Sequence, residues 1–236
     1  MDSQFSRLEL LLGKENIEKL KNARIAVFGI GGVGGYAVEA LARCSVGTLD
    51  LIDNDTVSIT NINRQIIATH KTLDSFKTKA AAERIADINP EIKTIQHNIF
   101  YSAENSDKID LSVYDYVIDA IDTVSAKIEL ITRCSELNVP IISCMGTGNK
   151  LDATKLEVCD IYKTSICPLA KVMRYELKKR GIKKLKVVYS TEESIKPTIQ
   201  TEEFGRHIPA SAVFVPASAG MILASEAVKD ILQLTN

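Results

Sequence analysis

Residues 25–42 decide the fold: the apolar run Ile25-Ala26-Val27-Phe28 is followed by Gly29-Ile30-Gly31-Gly32-Val33-Gly34-Gly35 and then by Tyr36-Ala37-Val38-Glu39-Ala40-Leu41-Ala42. These parts predict a strand, a tight turn and the start of a helix. The arrangement cradles phosphate groups, because backbone N–H groups at a helix N-terminus attract anions. Gly29, Gly31, Gly32 and Gly34 are therefore candidate nucleotide-binding residues. Proteins that bind NAD, FAD or ATP share this turn, and a tight turn without a ligand is the alternative.

The remainder of the chain alternates strand patterns with helical ones. Strands are predicted over residues 47–53, 93–97, 114–120, 140–145, 156–161 and 185–189, and helices over 61–66 (capped by Thr60), 75–88, 124–137, 168–180 and 217–232. Such alternation predicts a parallel sheet with right-handed crossovers. We therefore expect an α/β, Rossmann-like fold: a mostly parallel sheet flanked by helices, with a mixed C-terminal extension. Residues 1–236 are expected to form one domain, with a mobile polar loop over 190–209.

Composition indicates a globular protein and limits its partners. Hydrophobic residues make up 45% of the 236 residues, and the net charge of −1 implies no general attraction to nucleic acid. Five cysteines without a Cys-x-x-Cys pair favour a reducing compartment and argue against a structural zinc. The N-terminus shows no secretory pattern, and no stretch is long enough to span a bilayer. We expect a cytoplasmic protein without a membrane partner.

Three polar residues between the second predicted strand and the next helix are candidate nucleotide ligands. Asp53 ends the strand, where an acid commonly binds ribose hydroxyls, and Asp55 is the nearby alternative. Asn61 and Arg64 are one helical turn apart, so both side chains can point to one side. The fork of donors on an arginine suits phosphate oxygens.

Two further charged residues complete the set. Lys77 begins a predicted helix and can add a compact positive charge, whereas Lys79 is more simply explained as a solvated helix residue. Asp122 follows the end of the fourth predicted strand, where ligands gather in open α/β sheets. A carboxylate there suits Mg²⁺ that bridges phosphates. Asp119 could do this instead, or it could only terminate the strand.

Together these residues match the needs of nucleotidyl transfer. They can align a triphosphate, neutralise developing charge and support pyrophosphate as the leaving group. No general base is required where the nucleophile is already a carboxylate. A nicotinamide enzyme has no evident use for an arginine, a lysine and a late aspartate around the phosphates.

The glycine-rich turn, Asp53, Asn61-x-x-Arg64-Gln65, Lys77 and Asp122 resemble, in order and separation, the adenylation core of the ThiF/MoeB and ubiquitin-activating-enzyme superfamily. The resemblance covers about residues 7–150. It implies that Asp53 binds ribose, that Asn61, Arg64 and Lys77 bind the phosphates of ATP, and that Asp122 binds Mg²⁺. Phe5-Ser6-Arg7 is similar to an aromatic-x-Arg element whose arginine reaches the ATP of the other subunit. The resemblance therefore implies a homodimer in which Arg7 is catalytic together with Arg64, Lys77 and Asp122.

Within that superfamily the chain more closely resembles the tRNA threonylcarbamoyladenosine dehydratases. The resemblance is carried by residues 7–13, 28–43, 119–123, 145–150, 167–170, 174–182 and 187–190. It implies that ATP activates the carboxylate of threonylcarbamoyladenosine at position 37 of tRNA, after which internal attack by the side-chain nitrogen closes a ring with net loss of water. Residues up to about 150 would bind nucleotide and residues 151–236 would face the tRNA. A monovalent cation and a sulfur-relay partner are further candidates, and no residue of the sequence identifies either.

Three other functions stay open as alternatives. The first is adenylation of the C-terminal glycine of a ubiquitin-like sulfur carrier, against which the missing zinc pairs count. The second is a nicotinamide-dependent oxidoreductase that uses the same turn, and the third is a non-catalytic partner subunit. The complete polar set weighs against both of these.

Two features of the second half have both a functional and a structural interpretation. The basic run over 171–186 could contact tRNA phosphates or only form a solvated helix face; its candidate contacts are Lys171, Arg174, Lys178, Lys179, Arg180 and Lys183. Cys167 opens a predicted helix, where the dipole could make a thiol reactive. We favour a packing role for Cys167, because ring closure needs no thiol, and Cys159 stays undecided.

Overall fold

The computed structural model describes residues 3–199, 202, 203, 206, 207 and 209–234. Its strands are β1 (Arg24–Phe28), β2 (Thr48–Ile52), β3 (Lys93–His97), β4 (Tyr116–Asp119), β5 (Ile141–Cys144), β6 (Leu156–Asp160), β7 (Lys186–Ser190), β8 (Glu202–Glu203) and β9 (Arg206–His207). Its α-helices are α1 (Ser6–Leu12), α2 (Lys14–Asn22), α3 (Gly34–Arg43), α4 (Lys77–Ile88), α5 (Val124–Leu137), α6 (Pro168–Lys179) and α7 (Phe214–Leu232).

Seven strands form one sheet in the order β3-β2-β1-β4-β5-β7-β6. Neighbouring strands are parallel except β6, which pairs antiparallel with β7. The chain proceeds from β1 outward to β2 and β3, and then returns to the other side of β1 to form β4. The strand order therefore reverses between β1 and β4, and ligands bind at such switch points in open α/β sheets. The predicted fold class, including the mixed C-terminal extension, is confirmed.

The two faces of the sheet carry separate hydrophobic clusters. Ile25 and Val27 pack with α3, α4 and α7 on one face. Ala26 and Phe28 pack with α5 on the other face, because successive side chains of a strand point to opposite sides. This two-sided burial explains why β1 reads as an uninterrupted apolar run. β1 runs parallel to β2 and β4, so the glycine-rich turn that follows it begins at the carboxyl edge of the sheet.

A buried polar cluster braces the first three strands of the sheet. The fully buried Asp50 accepts two hydrogen bonds from Arg24 at 2.8 and 3.0 Å, one from Tyr114 at 3.1 Å, and lies 2.8 Å from His97 Nε2. Burial raises the pKa of the Asp50 carboxyl, but the bonds from His97 and Arg24 lower that pKa by more, and the net shift is downward. The cluster joins Arg24, the first residue of β1, to Asp50 in the middle of β2 and to His97, the last residue of β3.

Several boundaries differ from the prediction. The segment after residue 57 begins with a short 3₁₀ turn over Ile59–Asn61, and it is capped by Ser58 and not by Thr60. The last helix begins at Phe214, three residues earlier than the sequence pattern predicts. The predicted mobile loop over 190–209 lies partly outside the described residues. Its described beginning is held in place, because the Ile195 N–H donates to the Asn149 carbonyl at 2.8 Å.

None of the described helices combines the length and apolar character that crossing a bilayer requires. The five cysteines are all free thiols.

Candidate active site

A cavity of about 670 Å³ lies at the switch point of the sheet. It opens beyond the carboxyl ends of β1, β2, β4 and β5, and residues that follow each of these strands line it. Eight of the predicted site residues lie in its walls: Gly29, Gly31, Gly32, Asp53, Asn61, Arg64, Lys77 and Asp122. The structure therefore brings together residues that are up to 93 positions apart in the sequence, as the span from Gly29 to Asp122 shows.

The glycines of the turn fall into two groups. Gly29 has φ +86°, and a Cβ there would lie 2.6 Å from the Ala120 carbonyl oxygen. A Cβ on Gly34 would lie 1.7 Å from the Gly29 carbonyl oxygen, so Gly34 permits close helix packing and does not line the cavity. Gly31 and Gly32 lie in the cavity wall, where a Cβ would meet no atom closer than 3.8 and 3.5 Å. The structure thus gives Gly34 a packing position, and its nucleotide-binding role stays a prediction.

Asp53 connects the glycine turn to the second strand. Its Oδ2 accepts the Ile30 N–H at 2.7 Å and its Oδ1 accepts the Asp55 N–H at 2.8 Å. Burial raises the pKa of the Asp53 carboxyl, whereas the Lys77 ammonium and these N–H bonds lower it. The effect of burial is the larger, so the pKa lies above its ordinary value. Lys77 Nζ lies 4.0 Å from Asp53 and 2.6 Å from Asp55. Asp55, weighed as an alternative to Asp53, is thus the direct partner of Lys77.

Asn61 and Arg64 line the cavity beside the glycine turn, since a Cβ on Gly32 would lie 3.5 Å from Arg64 Cγ. Asn61 is buried, and its Oδ1 accepts the Ser58 N–H at 3.0 Å, which fixes the side chain within the capped turn. Arg64 Nη1 donates to the Thr60 carbonyl at 2.8 Å and to Asn63 Oδ1 at 3.0 Å. These bonds hold one terminal nitrogen of the guanidinium and leave the N–H groups of Nε and Nη2 available to an anion in the cavity.

Gln65 carries the one buried side-chain oxygen or nitrogen, among the described residues, that has no hydrogen-bond partner. The side chain is 6% exposed and lies in the cavity wall beside Gly31. A buried acceptor without a partner is costly, so a ligand that donates a hydrogen bond would satisfy the Gln65 Oε1. The sequence placed Gln65 within a motif and gave it no role of its own. Its orphaned oxygen and the open backbone at Gly31 fit a bound nucleotide.

The loop after β4 presents Asp122 at the mouth of the cavity. Asp122 is exposed, and among the described residues its carboxylate accepts only the Thr123 hydroxyl, at 3.3 Å. Asp119, the alternative to it, is fully buried and pairs with Lys127 Nζ at 2.9 Å. Asp119 also accepts the Ser143 hydroxyl at 2.5 Å and the Ile121 N–H at 3.1 Å. With its lone pairs used in this way, Asp119 braces the loop that carries Asp122.

The far side of the cavity is formed by the loop after β5 and the start of α6. We call this surface the far wall; it comprises Met145, Gly146, Thr147, Gly148, Lys150, Cys167, Pro168 and Leu169. Cys144 lies beneath it, and burial raises the pKa of the Cys144 thiol to about 12. A thiol with such a pKa is protonated at neutral pH and is a poor nucleophile.

Arg7 lies outside the cavity. It is exposed on α1 and is absent from the cavity walls of its own chain. The neighbouring Leu10 and Leu11 are 72% and 78% exposed. The side chains of Arg7, Leu10 and Leu11 therefore face away from the body of the chain, whereas Leu12 packs against the core.

The basic candidates on and after α6 are not equivalent. Arg174 is half-buried and donates to the carbonyl and hydroxyl of Thr164, and both Lys179 and Arg180 pair with Glu176. The remaining three are exposed and form no ion pair within the described part of the chain: Lys171, Lys178 and Lys183. Because α6 begins at the far wall, this basic face continues outward from the cavity.

Metal ligation by the protein alone is not supported by the described residues. They contain no group of three or more His, Cys, Asp or Glu side chains placed to bind one ion. Asp122 offers a single accessible carboxylate at the cavity mouth. That suits Mg²⁺, which is usually bound through one or two carboxylates together with substrate phosphates and water.

Similarity to known proteins agrees with this geometry. The chain is 44% identical over 241 residues to a Bacillus subtilis (strain 168) protein named tRNA threonylcarbamoyladenosine dehydratase, with 98% of this chain and 95% of the relative covered. It is 39% identical over 202 residues to the Escherichia coli (strain K12) protein of the same name, covering 82% and 75% of the two chains.

The fold matches a solved structure of the E. coli dehydratase TcdA in complex with AMP, with a TM-score of 0.89, 35% identity, and 98% and 94% of the two chains covered. A complex of TcdA with ATP matches with a TM-score of 0.87, 34% identity and the same coverage. The family model described as the ThiF family matches residues 3–236. The chain therefore belongs to the ThiF family.

Proposed function

We propose that this protein is an ATP-dependent dehydratase that cyclises threonylcarbamoyladenosine at position 37 of tRNA. The observation that carries the proposal is the single cavity wall formed by Asp53, Asn61, Arg64, Lys77 and Asp122. This set suits adenylation of a carboxylate, and the relatives that match nearly the whole chain are named for that tRNA substrate. The neighbouring far wall gives the acyl group a place beside the nucleotide.

The reaction has two steps. A carboxylate oxygen of the substrate attacks the α-phosphorus of ATP, and the α–β phosphoanhydride bond breaks to release pyrophosphate. The side-chain nitrogen then attacks the acyl carbon, the bond from that carbon to the AMP oxygen breaks, and the nitrogen loses its proton to solvent. The substrate loses the elements of water, and its departing oxygen leaves with AMP.

The residues of the cavity have distinct roles in this proposal. Asp53 accepts a ribose hydroxyl, and the backbone at Gly31 and Gly32 lies against the phosphates. Arg64 and Lys77 neutralise charge that develops on the phosphates, which is the main form of catalysis available to phosphoryl chemistry.

Asp122 would hold Mg²⁺ together with the phosphates. When bound, the ion offsets the charge of the triphosphate and favours departure of pyrophosphate. The accessible carboxylate of Asp122 and the absence of a complete ligand set among the described residues both fit an ion that arrives with the nucleotide.

The proposed assembly is a homodimer in which Arg7 completes the cavity of the partner. The exposed leucines beside Arg7 on α1 support it, because large exposed apolar side chains in one patch mark interaction sites. Mixing Arg7→Ala protein with Asp122→Ala protein should restore part of the activity, since each hybrid dimer contains one intact site. Absence of rescue in a mixture shown to exchange subunits would contradict the shared site.

The remaining expectations also stay proposals. Residues up to about 150 would form the nucleotide-binding half and residues 151–236 the half that faces tRNA. A cytoplasmic location fits a tRNA-modifying enzyme whose five cysteines are free thiols. The candidate monovalent cation and sulfur-relay partner have no identified contact in the described residues.

The test is a mass analysis of nucleosides from tRNA that carries threonylcarbamoyladenosine, after incubation with the protein, ATP and Mg²⁺. We expect ATP-dependent conversion to a nucleoside lighter by one water, with one AMP and one pyrophosphate formed for each conversion. Formation of AMP without loss of water would contradict the proposal. An AMP-linked carrier protein would instead support adenylation of a sulfur carrier's C-terminal glycine.

A further inference from the structure

The far wall contains a single charged side chain among its eight residues, that of Lys150. The others are small, apolar or uncharged. Lys150 is only 4% exposed, although it follows a strand at the carboxyl edge of the sheet, where ligands are expected. A buried ammonium in such a wall requires an explanation, because charges are seldom buried unless they are paired.

Comparison with the other two buried lysines shows what Lys150 lacks. Lys127 pairs with Asp119 at 2.9 Å, and Lys77 pairs with Asp55 at 2.6 Å. Lys150 donates to the backbone carbonyl of Glu192 and has no ion pair with the residues that the structure describes. Its burial is therefore offset by a neutral acceptor alone.

The carboxylate of Glu192 does not supply the missing charge. Its oxygens accept the N–H groups of Leu151 at 3.0 and 3.1 Å and of Asp152 at 3.0 Å. The Glu192 side chain thus fixes the backbone just after Lys150, while its carbonyl oxygen fixes the ammonium. The two bonds hold Lys150 in place and leave two of the three N–H groups of the ammonium for another acceptor.

We propose that Lys150 is the receptor for the threonyl carboxylate of the substrate. This inference rests on the proposed dehydratase function, which requires that carboxylate to lie between the α-phosphate and the far wall. An anion bound there would give the buried ammonium a charged partner. The same pairing would orient one carboxylate oxygen toward the nucleotide, so Lys150 acts as a positioning and specificity residue for the acyl group.

The proposed contact can be tested by changing the charge of the substrate at the threonyl carboxylate. Converting the threonyl carboxylate to a primary amide removes the charge and changes little else. A charge-assisted hydrogen bond contributes enough to alter affinity by roughly 10- to 100-fold. The protein should therefore bind an anticodon stem-loop with the acid more tightly than one with the amide, and this ratio should depend on the charge at position 150.

The experiment measures the dissociation constants of the two stem-loops in the presence of a saturating non-hydrolysable ATP analogue. We expect the acid-to-amide preference of the wild type to collapse toward one in Lys150→Gln, whose amide keeps a donor for the Glu192 carbonyl. Lys150→Arg should retain most of the preference. Glu192→Ala, the matched control, loosens the same backbone without removing the ammonium and should retain the wild-type ratio.

The inference is overturned if Lys150→Gln keeps the wild-type ratio while binding the ATP analogue normally, or if the wild type itself does not distinguish acid from amide. The inference is also overturned if the acid-to-amide ratio falls as far in Glu192→Ala as in Lys150→Gln, because loss of local backbone structure would then explain both results. If Lys150→Gln does not fold, Lys150→Arg decides the question. An acid-to-amide ratio of one in Lys150→Arg would contradict the proposal, and a preserved ratio would support it. Failure of the proposed function is separate: the wild type would not cyclise the acid stem-loop with ATP at all.

Discussion

The two sides of the cavity are built on different principles. On the nucleotide side, the buried charged groups are paired or hydrogen-bonded: Lys77 has Asp55, Asp53 has two backbone N–H groups, and Asp119 below them has Lys127. Arg64 and Asp122, which are less buried, keep donor and acceptor capacity for a ligand. On the far wall, small and apolar residues surround Lys150, whose partner among the described residues is a neutral carbonyl.

This difference indicates which step of the proposed reaction each side of the cavity serves. The nucleotide side is held rigid before a ligand arrives, which suits a group that must present its α-phosphorus along one line of attack. The far wall has space, one fixed charge and few polar groups, which suits a substrate group that must turn to close a ring. Substitutions on each side of the cavity should therefore have different effects on stability, turnover and substrate binding.

The largest effect is expected where the bracing of the nucleotide side is broken. Lys127→Met leaves Asp119 as an uncompensated buried charge, and breaking a buried pair in this way costs about 3–5 kcal/mol. Chemical denaturation should show a loss of that size in the free energy of unfolding.

Lys79→Met is the matched control for this change. Lys79 is an exposed lysine on α4 whose pair with Glu83 spans 3.9 Å, and exposed pairs contribute about 1 kcal/mol or less. Adding Asp119→Asn to Lys127→Met should recover part of the loss by removing the buried charge. A loss below about 1 kcal/mol in Lys127→Met would show that the Asp119–Lys127 pair is not the brace.

The second prediction separates catalysis from stability on the same side. Arg64→Ala should lower turnover by about 10²- to 10³-fold, the usual cost of removing one donor that stabilises charge in a transition state. Its free energy of unfolding should change by about 1 kcal/mol or less, because within the described part of the chain the half-buried guanidinium makes two local hydrogen bonds and no ion pair. Steady-state assays and denaturation curves of the same preparations measure both.

Lys71→Ala tests the specificity of that result, since Lys71 is exposed in the turn that follows and lies outside the cavity. It should retain wild-type turnover. An Arg64→Ala protein that unfolds at markedly lower denaturant concentration would assign Arg64 to the fold.

The sequence predicted the two sides unequally, and the reason is physical. The strand, turn and helix around Gly29 are set by local geometry, and the polar set follows strand ends that converge at one edge of a parallel sheet. Asp53, Arg64 and Lys77 could therefore be predicted as neighbours. Asp119 could not be separated from Asp122, because only the fold shows that Lys127 reaches the first and leaves the second exposed.

Lys150 and Gln65 were visible in the sequence only as members of longer motifs. The burial of Lys150 and the unpaired oxygen of Gln65 depend on the folded structure and not on the local sequence. Lys150, for example, contacts Glu192, which is distant in the sequence. The signal that pointed to Lys150 was its place in a loop directly after β5. Gly34 shows the reverse case, since its motif position suggested ligand contact and the structure gives it a packing role.

The third prediction extends the far wall outward along α6. Lys178→Ala should weaken tRNA binding and lower the slope of log affinity against log salt by about one, as expected when one phosphate contact is lost. Lys178 is exposed and has no ion pair among the described residues, so its charge is available to an anion. Lys19→Ala on α2, remote from α6, should leave the slope unchanged. An unchanged slope in Lys178→Ala would make this face a solvated surface.

The smallest effect is expected at Cys167, the thiol of the far wall. Cys167 is 2% exposed, its side chain makes no capping bond at the start of α6, and its Sγ lies 3.7 Å from where a Cβ on Gly146 would be. These contacts describe a small packing residue. Ring closure on an acyl-adenylate needs no covalent step through sulfur, so Cys167→Ala should keep turnover within about twofold of the wild type, with a modest loss of stability from the deleted atom.

A catalytic thiol would behave differently. Its removal would lower turnover by orders of magnitude while the free energy of unfolding stayed nearly constant, and that outcome would contradict a passive role for the apolar part of the far wall. Cys167→Ser refines the result, because a serine hydroxyl matches the size of the thiol but cannot replace it as a nucleophile at neutral pH. Equal turnover in Cys167→Ala and Cys167→Ser would leave the Lys150 ammonium and the Thr147 hydroxyl as the polar side-chain groups of that wall that can act on the substrate.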